Sequence, residues 1–277
     1  MTADPLLAEV VSAEPLSPHL VRVLVTAPGF TSLGVPDEAV VVTFPRASTH
    51  AADPADERDG HWYTIRRVEP AHRLTIDIAT HEGGIGSAWA HRARAGDRLH
   101  LRSQGSWYRR GADTRWQLLI VDVTGLPACA RIIEDTPPDV RTIAMIEVPD
   151  AADRQNLPGA EVTWLSNPAL TSGASLLGHA ASSITLPAGP GYVYVAGEAA
   201  ATRTARRHLR HELNLPATAY GVIGYWRRDA QAWATRVANS GIDLDALWDE
   251  AESLTPHDEE AALDAYEDRL DQAGLLT

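Results

Sequence analysis

The sequence predicts a two-domain β + α/β protein: an N-terminal antiparallel β-barrel, an α/β domain and a helical tail. Three observations predict it. Short β-branched runs, separated by turn residues at roughly 8–12 residue spacing, fill the first 110 or so positions, the pattern of a small barrel. From Trp116, continuous apolar runs alternate with helical segments, as in a parallel sheet covered on both faces. From Ile242, apolar residues recur at helical spacing within an acidic stretch. The expected boundaries are 1–112, 116–240 and 241–277.

Barrel strands are expected at His19–Pro28, Ala39–Phe44, Trp62–Val68, Arg73–Thr80 and Asp97–Ser103. One helix interrupts them at Ser87–Ala95, rich in Ala and Arg, with Ser87 as its candidate cap. Ser106–Arg115 reads as the linker. In the second domain Trp116–Val123 is apolar enough for a strand buried on both faces, and a helix follows over 125–136. Strands at 141–148, 161–166, 191–197 and 218–226 then alternate with a short helix at 171–181 and a longer one at 198–213. In the tail, Leu244, Leu247 and Trp248 share one helical face, and Ala262, Leu263, Tyr266 and Leu270 another. That suits a docked helical hairpin with an acidic solvent face, and equally a lid or partner surface.

At 277 residues and 44% hydrophobic content, the chain can bury two cores. A net charge of −13 argues against a nucleic-acid partner. All 24 basic residues are arginine, so an anionic ligand must be held by guanidinium forks. The single cysteine, Cys129, excludes an intrachain disulfide and a cysteine-rich iron–sulfur site, so redox chemistry would need an organic cofactor. The N-terminus lacks the basic and apolar regions of a signal peptide, and no apolar run of about 18 residues occurs. A soluble, cytoplasmic protein is expected; its oligomeric state is left open.

The most informative segment is His61–Arg66, HWYTIR, which reads as a strand. Tyr63 offers an aromatic face with a hydroxyl, Thr64 a hydroxyl, and Arg66 a planar fork suited to phosphate. A flavin dinucleotide needs all three; an ordinary barrel strand with a surface arginine would read the same way. The second candidate is Thr80–Leu99, where a strand ends in a glycine-rich turn before a helix. Its candidate cofactor-binding residues are His81, Gly83, Gly84, Gly86, Ser87 and Trp89, with backbone N–H groups and a helix start in reach of a pyrophosphate. A plain loop with a capped helix is the alternative.

Two further turns lie at the carboxyl ends of α/β strands, Thr124-Gly125 and Gly197-Glu198, where dinucleotides bind in such sheets. After the second, Arg203, Arg206, Arg207 and Arg210 cluster on a helix, with Arg203, Arg206 and Arg210 on one face. They suit either a grip on pyridine-nucleotide phosphates or a solvated face paired with the acidic tail. Tyr225 and Trp226 end a strand, a position that can face a flavin or simply pack. Glu147, Asp150 and Asp153 end another strand and are candidate acceptors for ribose hydroxyls.

Nearly the whole chain resembles the siderophore-interacting proteins, a family of FAD-dependent ferric-siderophore reductases. The resemblance rests on HWYTIRR, GSAWAHRARAGDRL, DVTGLPACARIIE, IEVPDAAD, VAGEAAATRTARRHL and GYWRRD, in that order. It implies a Greek-key FAD-binding barrel joined to a ferredoxin-reductase-like NAD(P)H domain. The family's flavin strand is Arg-x-Tyr-Thr-x-Arg; Tyr63, Thr64 and Arg66 match it and inherit contacts to the isoalloxazine, ribityl and pyrophosphate, while His61 stands at the first arginine. Val123 stands where the family often has Glu, and Gly84-Ile85-Gly86-Ser87 replaces Gly-Pro-Ala-Ser. The lysines that many members use to attract ferric siderophores are missing.

The function implied is electron transfer from NADH or NADPH, unranked, through FAD to a ferric siderophore, with no metal held by the protein and no side chain as acid or base. Two other functions fit the residues. One is a general NAD(P)H:flavin reductase that supplies another enzyme. The other is a flavin-free member that acts on or binds a small organic ligand in the cleft near Trp62, Tyr225 and Trp226.

Overall fold

The structure, a computed structural model, describes residues 5–44, 60–81, 84–256 and 258–276. Two compact units divide the chain, Met1–Tyr225 and Trp226–Thr277. The first holds both the barrel and the α/β sheet.

Six antiparallel strands close the barrel in the order β1-β2-β5-β4-β3-β6. They are β1 Leu6–Ser17, β2 Leu20–Thr26, β3 Ala39–Thr43, β4 His61–Glu69, β5 Arg73–Ala79 and β6 Arg98–Gly105. β6 returns to pair with β1, which leaves no open edge. Alternate residues such as Val21, Val23 and Val25 of β2, and Leu74, Ile76 and Ile78 of β5, fill the interior. β1 was not expected from the sequence. Pro15 and the run of exposed residues hide its period, and register shifts beside Ser12 and Pro15 accommodate them.

The interrupting helix differs from expectation. α1 spans only Ile85–Ala90, with Gly84 rather than Ser87 at its N-cap. Ser87 lies inside the first turn, where its Oγ accepts the His81 N–H at 3.0 Å. That bond closes the turn and removes Ser87 as a cap.

The second half carries a five-stranded sheet of order β11-β10-β7-β8-β9, from β7 Trp116–Asp122, β8 Arg141–Val148, β9 Glu161–Ser166, β10 Gly191–Glu198 and β11 Tyr220–Trp226. β10, β7, β8 and β9 run parallel. Every residue of β7 is buried, as a central strand covered on both faces requires. The helices are α2 Leu126–Asp135, α3 Leu177–Ser183 and α4 Ala199–Arg207, the last continued by a π turn at His208–Glu212. The chain steps outward from β7 to β8 and β9, then returns to β10 on the other side of β7. The carboxyl ends of β7 and β10 therefore form the topological switch point of the sheet.

The second unit holds α5 Ala230–Ser240, α6 Leu244–Leu254 and α7 Glu259–Gln272. α6 and α7 form the expected hairpin, with Trp248 edge-on to Tyr266 at 5.6 Å and Arg269 paired to Glu250 at 3.1 Å. α5 was not expected. It ends at Gly241, whose φ of 70° lets the chain reverse, and Asp243 then caps α6. Among the described residues, no helix is long and apolar enough to cross a membrane.

Candidate functional site

A bulge in β4 shapes the first part of the site. Ile65 pairs with Ile76 and Arg67 with Thr75, so Arg66 is the extra residue, left out of the ladder. The bulge breaks the alternation, and Thr64, Ile65 and Arg66 are buried in succession. Tyr63 lies edge-on to Phe44 at 5.6 Å, and its hydroxyl rests against Gly86, where a Cβ would overlap it. Burial raises the Tyr63 phenol's pKa, so the hydroxyl stays protonated. Thr64 Oγ1 is buried and makes no hydrogen bond. His61 is exposed, and Trp62, 41% exposed, sits edge-on to Trp107 at 5.1 Å.

Arg66 is not a free phosphate ligand. Its Nη1 donates to Glu134 Oε2 at 2.8 Å and its Nη2 to Glu134 Oε1 at 2.5 Å, a two-point pair with α2. The Arg66 hydrogen bonds hold the Glu134 carboxyl below the usual carboxylate range, against the opposing effect of its partial burial. One turn earlier, Arg131 donates to the Ile65 carbonyl at 2.6 Å and approaches Glu38 at 3.5 Å. The sequence reading missed Glu134, Arg131 and Glu38. The signal was available: two opposite charges three positions apart on an otherwise buried helix seldom lack partners elsewhere.

Two other buried carboxylates join the domains. Asp37 accepts the Ser106 hydroxyl and the N–H groups of Trp107 and Tyr108, which fixes the linker. Asp153 accepts the Ser17 hydroxyl at 2.6 Å, the His19 N–H at 3.0 Å, and faces His19 Nδ1 at 2.8 Å. Asp153 is thus an interdomain tether rather than a ribose acceptor. Glu147 is likewise engaged, by Asn167, Ser175 and the Leu176 N–H. Of the three carboxylates proposed for ribose, only Asp150 is exposed.

The glycine-rich turn brings His81, Gly84 and Ser87 together beside a cleft of about 390 Å³ that also takes in His19, Thr80 and His91. The His81 ring lies over Gly84 so closely that a Cβ there would strike it. Gly83 lies outside the described residues. Trp89 is a core residue: it is 2% exposed and stacks at 4.7 Å on Phe44 inside the barrel, out of reach of a cofactor in the cleft.

Asp122 organises the switch point. Its Oδ1 accepts the Thr124 N–H at 2.8 Å and hydroxyl at 2.6 Å, and its Oδ2 accepts the Glu198 N–H at 2.9 Å. One buried carboxylate thereby holds both βα turns. Gly125 and Gly197 are required here, since a Cβ on either would meet Ala196 and Val121 or Asp122 and Leu177. Glu198 caps α4, accepting from the N–H groups of Ala200 at 2.9 Å and Ala201 at 3.0 Å. Its carboxylate occupies the helix start that a phosphate would use. On α4, Arg206 is 2% exposed and belongs to the interior, while Arg203 and Arg210 are half-buried and Arg207 is exposed. Of the shared arginine face, Arg206 is turned inward, while Arg203 and Arg210 stay partly accessible.

Tyr225 lies near the end of β11. Its hydroxyl lies 2.9 Å from that of Tyr194. Burial pushes its pKa up to about 12. Trp226 is half-buried at the end of β11. Among the described residues, no group of three or more His, Cys, Asp or Glu could hold a metal ion. Cys129 is buried in α2 and its thiol is pushed up to about 12 by desolvation, which removes it as a nucleophile.

The residues fit the ring end of a flavin better than its phosphate end. Thr64 Oγ1 is an orphaned buried hydroxyl beside Tyr63, and such a group calls for a partner. Arg66, expected at the pyrophosphate, is paired with Glu134 through both Nη atoms, while its buried Nε has no hydrogen-bond partner.

The comparisons agree with this architecture. Residues 9–107 match the siderophore-interacting FAD-binding domain, and residues 114–229 match the siderophore-interacting protein family. FAD is accordingly the cofactor of the barrel domain. A siderophore utilization protein from T. fusca is 31% identical, with a TM-score of 0.69 over 82% of this chain and 96% of that one. An NADPH-dependent ferric-chelate reductase of Escherichia coli is 28% identical over 203 residues, 66% of this chain and 77% of that protein. The ferredoxin reductase of a carbazole 1,9a-dioxygenase, 18% identical, shares the fold with a TM-score of 0.61 over 80% of this chain and 70% of that one. The closed barrel, the parallel sheet behind it and these matches identify the chain as a member of the siderophore-interacting protein family.

Proposed function

We propose that this chain is a flavin-dependent reductase that passes electrons from NAD(P)H through FAD to a ferric siderophore and releases the iron as Fe(II). Thr64 carries the reading: a buried hydroxyl without a hydrogen bond, on the Tyr-Thr-x-Arg strand. The ferric-chelate reductase relative supports the choice of donor and of substrate class.

Bound FAD would supply the conversion of a two-electron hydride into single electrons. Tyr63 walls the ring site, and Thr64 offers a hydrogen bond to it. The His81–Gly84–Ser87 turn admits the phosphates. Asp122 keeps the Thr124 and Glu198 turns at a fixed spacing for the nicotinamide nucleotide, with Asp150 exposed nearby for a ribose hydroxyl. No side chain has to act as general acid or base. Hard oxygen ligands hold Fe(III) more tightly than Fe(II), so reduction loosens the chelate, and one hydride suffices for two Fe(III).

The test is the visible spectrum of the purified protein before and after FAD is added, followed by NAD(P)H consumption with a ferric catecholate or hydroxamate. A flavin band and iron-dependent turnover are expected, and the ratio of kcat/KM values for NADH and NADPH sets the donor. A colourless protein that leaves both FAD and NAD(P)H untouched overturns the reading. A flavin-free ligand-binding role is the second reading, favoured by one observation: Glu134 and Glu198 occupy two places where phosphates would sit.

A further inference from the structure

Trp62 on β4 and Trp107, just beyond β6, meet edge-on at 5.1 Å. Trp62 is 41% exposed and Trp107 half-buried, so the pair opens to solvent. We propose that the two indoles form the platform on which the aromatic rings of a ferric catecholate dock, and that they make the protein select a catecholate over a hydroxamate chelate. The inference rests on the reductase reading above and names the substrate class of that site.

Strand register places the platform beside the flavin strand. Thr64, Ala39 and Gly105 form one row across β4, β3 and β6, and Trp62 pairs with Val41 in a neighbouring row. Val40 and Val42 fill the barrel core, so Ala39, Val41, Trp62 and Thr64 share its outer face. Both indoles lean over Gly105: a Cβ there would come within 3.2 Å of Trp62 and 3.3 Å of Trp107. The Trp107 N–H donates to buried Asp37 at 2.6 Å, which fixes the backbone under the second indole. Gly105 is two strand spacings, about 10 Å, from Thr64. A ring seated on the platform is thus a short electron step from a flavin held at Thr64.

Flat faces and charge together define the ligand. Catechol rings pack on indole, whereas a hydroxamate group brings no ring to the contact. Fe(III) held by three catecholate dianions is a trianion, while three hydroxamate monoanions leave it neutral. Arg109 suits the trianion. It is exposed, and its guanidinium donates to the Ser106 carbonyl at 2.6 Å, the Ser106 hydroxyl at 2.9 Å and the Tyr108 carbonyl at 3.2 Å, all neutral oxygens that leave its charge uncancelled. The acid of this corner, Asp37, is buried under the Ser106 hydroxyl and the N–H groups of Trp107 and Tyr108. Arg102 adds a second guanidinium on the same outer face, across Val41 from Trp62.

The experiment compares kcat/KM for a hexadentate ferric tris-catecholate and a hexadentate ferric tris-hydroxamate, in the full FAD-loaded chain at saturating NAD(P)H and fixed ionic strength. Wild type is expected to favour the catecholate. Trp62→Leu lowers that preference about three- to tenfold through KM, the worth of one aromatic contact, while Trp62→Tyr keeps most of it. Arg109→Gln raises KM for the catecholate and flattens its salt dependence. The gallium(III) tris-catecholate, which is not reduced, reads binding apart from turnover: its Ki as a competitive inhibitor rises by the same factor in Trp62→Leu. Thermal melts and flavin content verify that each variant is folded, and Trp107→Leu, with the same expected loss, decides the matter if Trp62→Leu is not. A wild type without preference, or a folded Trp62→Leu that keeps the preference or loses both chelates equally, overturns this inference alone. A wild type that loads no FAD or reduces neither chelate overturns the reductase reading and the inference together.

Discussion

Arg66 of β4 and Glu134 of α2 meet through two parallel hydrogen bonds, 2.8 and 2.5 Å long, that tie the barrel to the first helix of the α/β domain. The pair exists because the β4 bulge swings Arg66 out of the ladder and into the space between the domains. Arg66 is buried while Glu134 is 43% exposed, so the two partners contribute unequally. Removal of Glu134 leaves a desolvated guanidinium; removal of Arg66 leaves a carboxylate that water can reach.

Glu134→Gln is therefore expected to destabilise the protein by about 1–2 kcal/mol, less than the ~3–5 of a fully buried pair, because solvent screens the glutamate. Urea unfolding of wild type and variant measures the difference. Since Arg66 lowers the folded pKa of Glu134, the unfolded chain binds its proton first as pH falls. The stabilisation is fully present above the unfolded carboxylate pKa of about 4.5 and is lost as pH drops through the lower folded value. Wild type and Glu134→Gln should converge in stability below that range; a gap that stays constant down to the acid limit contradicts the assignment.

Gly86→Ala is expected to cost about 1–3 kcal/mol and to displace Tyr63, because the new methyl overlaps the tyrosine hydroxyl and also crowds Phe44. Tyr63→Phe in the same chain removes the overlapping oxygen and should recover part of the loss. A double-mutant cycle by thermal melting reads the coupling, and a zero coupling energy refutes the contact.

Asp122→Ala removes the acceptor of the Thr124 N–H and hydroxyl and of the Gly125 and Glu198 N–H groups, in two βα turns at once. A loss of about 2–4 kcal/mol is expected from the stranded N–H groups. Under the proposed function, the milder Asp122→Asn should raise KM for the nicotinamide nucleotide more than it lowers FAD affinity. Steady-state kinetics and flavin titration separate the two; an effect confined to FAD would place Asp122 elsewhere in the mechanism.

Burial raises the phenols of Tyr108, Tyr192 and Tyr225 to about 12. The folded chain then holds protons that the unfolded chain releases near pH 10, so stability falls as pH rises above about 10. Spectrophotometric titration should show these phenols ionising together with alkaline unfolding. Ionisation of all seven tyrosines near pH 10 in a still-folded protein would be incompatible with this packing.

Much of the fold was legible in the sequence because its signals are local. The apolar run Trp116–Asp122 reads as a doubly covered strand, and it is buried at every residue. The strands Arg141–Val148 and Glu161–Ser166 fall where β-branched residues cluster. β1 and α5 were not legible: Pro15 and scattered polar residues blur the first, and the second buries no residue. Ser87 looked like a cap because its residue type favours that role, but the His81 N–H competes for its oxygen six residues away in sequence.

The candidate site divides in the same way. Tyr63, Thr64, Gly125 and Gly197 could be named as candidates in advance, because a flat ring, a hydroxyl or a close backbone approach calls for particular residue types, and the close approach is seen at both glycines. What those residues touch could not. Arg66 reads as a phosphate ligand until Glu134, 68 positions away, is found on it, and Asp153 reads as a ribose acceptor until Ser17 and His19 claim it. The sequence by itself determined the order of most elements, β1 and α5 excepted, the buried central strand and the chemical inventory of the flavin strand, since propensity and periodicity act over a few residues. Only the tertiary structure decided which charges are spent in holding the domains together and which buried polar atoms, Thr64 Oγ1 among them, are left without a partner. The pairing of buried charges depends on contacts between segments far apart in the chain, and the cost of leaving one unpaired is settled only when those segments meet.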